Sequence, residues 1–356
     1  MRFAEATRLV RELVDWRPPG GVISVYADID PADRGQGWRI ALKDQVGKLA
    51  GAPPGSLDRV LGHFPTDAAP EGRTHVGFLE AGGEREHWSS FQANGIETRV
   101  AHAPVAHLAP LMKLLDEGAA LGAVVISVDR VRVFEWELGR VEELDGWELE
   151  IYSDSWREHK AQRVDPAHSG TSVSSSGHDQ YAQRLEHESE RFLKQAGELV
   201  ASRYQERPWR WVLAIGEGSK PAQLAAGLGG LARIAEQVHH DLIRSPQAEI
   251  EARIAEEVER LNRVRETELV GTLEEAVGRG PGVAAGADEV LRALEMGRVH
   301  HLIFDADGGL APHDGESLVE RLVALALATD AQITPVEGVA AEALERREGV
   351  AALLRY

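Results

Sequence analysis

The strongest constraint on the fold comes from a Ser/Gly-rich segment that leads directly into an amphipathic helix. Residues 169–180 read SGTSVSSSGHDQ, with Val173 as the only apolar side chain. Such a segment cannot pack into a core, so it is either disordered or shaped by a partner. Apolar residues then recur at helical spacing and predict a helix over about 180–203, at Tyr181, Leu185, Phe192, Ala196 and Leu199. We therefore expect a mobile tip on a rigid helix, an arrangement suited to insertion into a deep site on another molecule.

The composition indicates a globular chain of more than one domain. Its 356 residues are 43% hydrophobic and 6% aromatic, which is ordinary for an α/β protein. No apolar run approaches the ~20 residues that span a bilayer, and the first seven residues lack the apolar centre of a signal peptide. There is no cysteine, so disulfides, thiolate nucleophiles and cysteine zinc sites are excluded. We expect a cytoplasmic protein.

The charge distribution is uneven. The formal net charge of -19 argues against nucleic-acid binding by the chain as a whole, because phosphate contacts need Lys and Arg. Basic residues nevertheless surround the Ser/Gly segment, namely Arg157, Lys160, Arg163 and Arg184, whereas acidic residues are dense over 249–275. A basic tip on an acidic body could dock against RNA. A solvated helix of mixed charge is the commoner interpretation of such a run.

Apolar runs and turn residues predict the secondary structure elsewhere. Buried strands are expected at 22–27, 123–128, 211–215 and 299–304. A hairpin is expected over 75–91, around Gly82-Gly83. Ser245-Pro246 predicts the start of a long helix, with Ser as N-cap and Pro at the first helical position.

This alternation of strands and helices predicts an α/β chain of three domains. Residues 1–118 would form an N-terminal α/β domain, 119–265 a middle domain with a Gly-x-x-Gln loop, and 266–356 a C-terminal α/β domain. Each domain is expected to contain a mixed or mainly parallel sheet with helices packed on it. The second boundary is placed within the long helix.

Three segments then form a recognisable set. Residues 287–303 and 348–356 bracket the last predicted domain, and Gly177-x-x-Gln180 stands between a β-rich segment and a long helix. In this order they resemble the third domain, its closing strand and the Gly-Gly-Gln loop of archaeal and eukaryotic class I peptide-chain release factors and their Pelota relatives. The resemblance covers about 120–356, and its middle and C-terminal domains are expected to be release-factor-like. The N-terminal domain is similar to that of the bacterial branch of this family, without an Asn-Ile-Lys-Ser codon-reading motif.

The resemblance implies a tRNA-shaped protein that binds the ribosomal A site, with its middle domain at the peptidyl-transferase centre. There Gln180 would help water to hydrolyse the ester between peptide and tRNA. Gly177 would be the loop hinge, and His178 and Asp179 would shape the tip. Contacts with rRNA or the tRNA acceptor end would come from the basic residues Arg157, Lys160, Arg163 and Arg184. Family analogy implies a translational GTPase as delivery partner.

The chemistry of such a tip needs no protein nucleophile, since water attacks and the protein supplies oriented donors to the developing oxyanion. The backbone N–H of Gln180 is a suitable donor if the helix begins there, because a helix leaves its first amides unpaired. The family's second glycine is replaced by His178, which adopts a positive φ less readily.

Three functions stay open. The first is peptidyl-tRNA hydrolysis in ribosome rescue or quality control. The second is non-catalytic occupation of the A site, as in dormancy, and the third is a ribosome-independent adaptor docking through the acidic helix 246–277. In the simplest interpretation of the tip, Asp179 only N-caps the helix and Gln180 is solvated.

No metal or cofactor is expected. Imidazole and carboxylate groups near the Ser/Gly segment could hold zinc or manganese, but they lack helical i, i+4 spacing: His159, His168, His178 and Asp179. Residues 305–309 lack the ligands of an EF-hand loop. Residues 216–221 lack the spacing of a phosphate loop. Trp209 and Trp211 flank a core strand and are interpreted as packing residues, not as base-stacking platforms.

Overall fold

The computed structural model describes ten ranges of the chain: 1–29, 37–49, 51–64, 71–93, 96–148, 175–207, 209–236, 242–279, 282–306 and 317–355. Within them, only the backbone is described for 175–185 and 234–236. The chain divides into two compact units. The first unit comprises Met1–Ala119, Glu137–Arg140 and Val258–Tyr356, and the second comprises Ala120–Trp136 and Val141–Glu257. The three-domain division at 118/119 and 265/266 stays a prediction.

The elements confirm the predicted α/β class. The helices are α1 Phe3–Val14, α2 Gly37–Gly47, α3 Ser56–His63, α4 Ala109–Glu117, α5 Ser175–Arg203, α6 Lys220–Leu228, α7 Gln247–Arg279, α8 Ala287–Glu295, α9 Leu318–Ala328 and α10 Gly338–Leu344. The strands are β1 Val22–Asp28, β2 Thr74–Glu80, β3 Glu86–Phe91, β4 Arg99–Ala103, β5 Leu121–Ile126, β6 Arg130–Glu137, β7 Arg140–Glu148, β8 Val212–Gly216, β9 Ala232–Glu236, β10 Val283–Ala285, β11 Val299–Asp305, β12 Gln332–Val336 and β13 Val350–Leu354. Among the helices of the described ranges, none combines the length and apolarity that crossing a bilayer requires.

The N-terminal sheet corrects one expectation. Its strand order is β3-β2-β1-β4, and every adjacent pair is antiparallel. It is therefore neither mixed nor mainly parallel. Part of the reason lies in the predicted hairpin, where β2 and β3 are joined through Gly82-Gly83. A connection this short cannot return the chain to the same end of the sheet, as parallel pairing requires.

The C-terminal sheet of the first unit is mixed, as expected. Its order is β10-β13-β11-β12. The pair β11–β12 is parallel, whereas β13 runs antiparallel to both β10 and β11. The parallel pair is connected through α9, which is the usual way to join neighbouring strands that run in one direction.

One apolar cluster joins the N-terminal and C-terminal segments of the first unit. Tyr26 and Phe78 from β1 and β2 belong to the same buried cluster as Leu302, Phe304 and Leu322. At its border, the carboxylate of Glu320 on α9 binds the start of α4. It accepts hydrogen bonds from His107 Nδ1 at 2.6 Å and Leu108 N at 2.8 Å. The two segments therefore share a core, although His107 and Glu320 are 213 residues apart in the sequence.

The second unit contains one mixed sheet of order β7-β6-β5-β8-β9. The strands β5, β8 and β9 are parallel, and β6 runs antiparallel to β5. The helices α5 and α6 cover one face through a cluster that includes Val124, Ala214, Leu193 and Leu224. The mixed sheet with packed helices predicted for the middle of the chain is confirmed.

A partly buried ion cluster lies where α4 meets α7 and β12 in the first unit. Lys113 pairs with Glu337, and its Nζ lies 3.7 Å from Glu117 Oε1. Arg265 donates to both oxygens of Asp116, at 3.1 and 2.5 Å. Burial raises the pKa of Glu117 to about 7 although Lys113 opposes the shift. A carboxyl group with this pKa is largely ionised at alkaline pH while it is held in a desolvated position.

Replacing Glu117 with Gln is expected to stabilise the protein at pH 8. A carboxyl group whose folded-state pKa lies above its unfolded value favours folding only while protonated, so its contribution is lost as pH rises through about 7. Glu117→Gln should therefore raise the free energy of unfolding by about 1–3 kcal/mol at pH 8 and by less than about 1 kcal/mol at pH 5. Urea unfolding at the two pH values measures both quantities.

The control is Glu268→Gln, which removes an exposed carboxylate from α7. It should change stability by less than about 0.5 kcal/mol at either pH. The raised pKa of Glu117 would be contradicted if Glu117→Gln increased the free energy of unfolding equally at both pH values, or decreased it at pH 8.

Candidate functional site

The predicted tip lies at the N-terminal end of α5. The helix begins at Ser175, about five residues before the predicted start, so Gly177, His178, Asp179 and Gln180 have helical backbone. The expectation of a loop that ends at Gln180 is therefore wrong for residues 175–180. The sequence-based prediction placed the start of α5 too late because Ser and Gly disfavour helix interiors. Ser is also common at the first positions of helices, and this signal was not used. Residues 169–174 and the side chains of 175–185 lie outside the description.

The earlier helix start changes which amides are unpaired. In an α-helix each N–H donates to the carbonyl four residues before it. The N–H of Gln180 therefore belongs to the helix ladder, and Asp179, as the fifth residue of α5, cannot be its N-cap. The unpaired amides are those of the first turn, which includes Ser176 and Gly177. These amides, and not that of Gln180, form the positive end of the helix dipole.

The second half of α5 packs against the sheet and anchors the helix there. Its buried residues recur every three or four positions on one face, namely Ser189, Leu193, Ala196 and Val200. Leu199, which the sequence pattern assigned to the apolar face, is 44% exposed. Ser189 Oγ donates a 2.8 Å hydrogen bond to the carbonyl of Val128, just beyond the end of β5.

The tip lies well beyond this anchor. Nine residues separate Gln180 from Ser189 along one helix. At a rise of 1.5 Å per residue, this separation is about 14 Å. The three residues 186–188, which precede Ser189, are all exposed.

The direction of α5 from Ser189 onward is set by a close crossing with α6. A side chain at Gly197 would overlap the carbonyl oxygen of Leu224, and a Cβ at Gly227 would lie 2.5 Å from the carbonyl oxygen of Lys194. Only glycine allows two helix backbones to approach this closely. The two helices therefore touch backbone to backbone, and α5 cannot shift sideways without opening this contact.

The described part of α5 does not form a basic stripe. Lys194 Nζ lies 4.0 Å from Glu198, and Arg203 lies 2.5 Å from Asp145. His187 lies 3.7 Å from Glu190. These pairs agree with the interpretation of a solvated helix of mixed charge. The predicted RNA contacts lie outside the described residues or side chains: Arg157, Lys160, Arg163 and Arg184.

The other end of the second unit carries an aromatic cluster. Glu135 accepts hydrogen bonds from Trp209 Nε1 at 2.7 Å and Arg207 Nη1 at 2.6 Å. The rings of Tyr204 and Trp209 lie 4.9 Å apart. Trp209 covers Gly122 so closely that a Cβ there would lie 2.5 Å from its ring. Trp209 is thus a packing residue, as its position beside a core strand indicated.

Trp211 has a different environment. The guanidinium of Arg233 lies 5.4 Å from its ring centre and that of Arg210 lies 5.9 Å away. The parallel register places Arg233 beside Leu213, and since side chains alternate along a strand, Arg233 and Trp211 share a face. Sequence reasoning missed this pair because the partners are separated by α6. The available signal was an arginine next to the apolar residues of the short strand Ala232–Glu236.

Among the described residues, no group of three or more His, Asp or Glu side chains is arranged to hold an ion. His159 and His168 lie outside the description, as do the side chains of His178 and Asp179. Of residues 305–309, only the first two are described.

Comparison with known proteins gives a family match for the middle of the chain. Residues 120–256 match the family described as bacterial archaeo-eukaryotic release factor family 5. The matched range is less than half of the chain, and it includes Gly177 and Gln180. The resemblance to the bacterial branch of the class I release factor and Pelota family is confirmed by this match. No curated protein matches the chain.

Solved structures of an archaeal translation termination factor and of Pelota proteins are also similar to this chain. An archaeal translation termination factor, aRF1, is 20% identical over 100% of this chain and 99% of its own, with a TM-score of 0.26. Archaeoglobus fulgidus Pelota is 14% identical over 98% and 90%, with a TM-score of 0.36. Archaeal Pelota from a ribosome-bound complex with ABCE1 is 15% identical over 99% and 94%, with a TM-score of 0.42. Sequence identities and TM-scores this low carry no functional inference for this chain.

Proposed function

We propose that this chain is a release-factor-like protein that binds the ribosome and hydrolyses peptidyl-tRNA in ribosome rescue or quality control. The observation that carries the proposal is the family match over residues 120–256, which contains the Gly177-x-x-Gln180 segment. The position of that segment on α5 supports it. A rigid helix seated from Ser189 onward and extending about 14 Å beyond this anchor to Gln180 suits a narrow site. A cytoplasmic location follows from this role.

The proposed reaction is hydrolysis of the ester between the peptide and the tRNA ribose. Water attacks the carbonyl carbon, the ester C–O bond breaks, and the ribose hydroxyl leaves with a proton. The first-turn amides of α5, including that of Gly177, are suited to donate to the developing oxyanion. The side-chain amide of Gln180 can orient the attacking water. His178 and Asp179 would shape the tip, and RNA would accept the proton from water.

The proposed binding partners are rRNA and peptidyl-tRNA, with a translational GTPase for delivery. Contacts near the tip are assigned to Arg157, Lys160, Arg163 and Arg184. Their local concentration offsets an overall charge of -19, which would otherwise oppose approach to phosphate.

A second candidate is a non-catalytic factor that occupies the A site of idle ribosomes. The helical backbone over Gly177–Gln180 favours it, because a helix makes no use of the positive φ that glycine provides. The replacement of the family's second glycine by His178 points in the same direction.

Peptide release from stalled ribosome complexes separates the two candidates. Gln180→Ala is expected to lower the release rate by about 100-fold or more, which is the usual effect of removing a group that stabilises or orients the reacting atoms. Binding, measured by pelleting with ribosomes, should change by less than about threefold, because most single residues contribute little to a large interface. The matched control is Gln195→Ala, which alters an exposed glutamine of the same helix.

Equal release by wild type and Gln180→Ala would contradict the catalytic role. Pelleting of the wild type without release at any concentration would support the A-site factor instead. Failure of the wild type to pellet at low salt would contradict both candidates.

A further inference from the structure

We propose that residues Arg210, Trp211, Leu231 and Arg233, which we name the Arg–Trp patch, form a second RNA contact on the second unit. The inference rests on the proposed function for the kind of partner. It goes beyond that function because the patch lies away from the tip of α5. The observation that carries it is the placement of two guanidinium groups over one tryptophan ring.

The patch is accessible. Arg233 is exposed, Leu231 is 49% exposed, and Arg210 and Trp211 are partly exposed. Leu231 immediately precedes β9, the last strand of the sheet order, and Arg233 lies on that strand. The register pairs Ala232 with Val212, and these residues directly follow Leu231 and Trp211 in the chain. The sheet edge therefore presents an aromatic ring, an aliphatic side chain and two cationic groups together.

The chemistry of the patch fits RNA. Guanidinium planes and tryptophan rings both stack on unpaired bases, and arginine also binds phosphate in bidentate fashion. The patch thus brings two guanidinium groups to one aromatic ring in a chain whose net charge is -19. A local excess of arginine beside an aromatic ring on so acidic a chain favours a polyanion that contains planar bases.

The position of the patch supports a separate contact. Trp211 accepts a 3.0 Å hydrogen bond from Gly122 N through its carbonyl, at the start of β5. The anchor of α5, Ser189, binds Val128 beyond the other end of β5. Val128 comes six positions after Gly122 in the chain, which corresponds to about 20 Å at the usual rise of a strand. The patch and the tip of α5 therefore extend from opposite ends of the sheet.

The test uses the full chain and two probes, a fluorescein-labelled oligouridine of about ten nucleotides and purified ribosomes. Arg233→Ala is expected to weaken oligouridine binding at low salt roughly tenfold, because it removes both a stacking plane and a phosphate contact. Arg233→Lys keeps the charge but not the plane, so it should recover only part of that loss. Arg263→Ala, which removes an exposed arginine from α7, should bind as the wild type does.

Any of three results would overturn the inference: the wild type does not bind oligouridine, Arg233→Ala and Arg263→Ala lose the same affinity for it, or Arg233→Lys binds it as tightly as the wild type. The ribosome probe separates this inference from the proposed function. Ribosome pelleting and peptide release without dependence on Arg233 would leave the proposed function standing and remove the patch. Oligouridine binding that depends on Arg233, without ribosome pelleting, would support the patch and contradict the proposed function.

Discussion

Glu320→Ala is expected to lower the free energy of unfolding of the first unit by about 3 kcal/mol. The Glu320 side chain is 6% exposed. Its carboxylate accepts hydrogen bonds from His107 Nδ1 at 2.6 Å, Leu108 N at 2.8 Å and Ala109 N at 3.5 Å. Removing it leaves the amides at the start of α4 without an acceptor in a buried place, and each unsatisfied donor costs about 1–3 kcal/mol. Urea unfolding at neutral pH measures the loss.

Two further variants define the cause. Glu320→Gln keeps an acceptor oxygen but loses the charge, so it should lose about half as much stability as Glu320→Ala. Glu342→Ala, an exposed change on α10, should stay within about 0.5 kcal/mol of the wild type. If Glu320→Ala were no more harmful than Glu342→Ala, the carboxylate would not be what holds the start of α4 to α9.

Gly197→Ala is expected to destabilise the second unit by about 2–3 kcal/mol, although alanine is the better helix former. The added methyl group would overlap the backbone oxygen of Leu224, which cannot move without shifting α6. Overpacking of this kind typically costs 1–3 kcal/mol. Because α5 carries Gln180, we also expect the release rate to fall, provided that the proposed function is correct. Thermal unfolding measures the first effect and the release assay the second.

The matched control is Gly271→Ala on α7. A Cβ at Gly271 meets nothing within 4 Å, so the same substitution should there stabilise by about 0.5–1 kcal/mol. Opposite signs at the two positions would establish the close crossing of α5 and α6. A gain in stability from Gly197→Ala would mean that the two helices do not touch as described.

The predicted elements hold where the signal is local. The apolar runs at 22–27, 123–128, 211–215 and 299–304 correspond to β1, β5, β8 and β11 within about two residues. These strands are buried, and burial demands apolar residues in sequence, so the pattern is visible in the chain itself. The start of α5 was missed because Ser175, Ser176 and Gly177 have weak helix propensity, so the local sequence does not predict the first turn.

For the candidate site, the sequence predicted the helix that carries Gln180 but not its surroundings. Spacing and the family motif led to α5 and to Gly177 and Gln180. The order of the strands in each sheet could not be read in the same way. The antiparallel N-terminal sheet shows this, because strand direction depends on how connections cross the sheet and not on the residues of one strand.

The sequence by itself determined the α/β class, the positions of the buried strands, the resemblance of the middle segment to a release-factor family and the helix that carries Gln180. Each of these depends on residues close together in the chain. Only the tertiary structure decided that Glu320 caps α4, that Gly197 meets α6, and that Arg233 stacks on Trp211. These contacts join residues far apart in sequence. Their geometry is set by strand register and helix crossing, which depend on the whole fold.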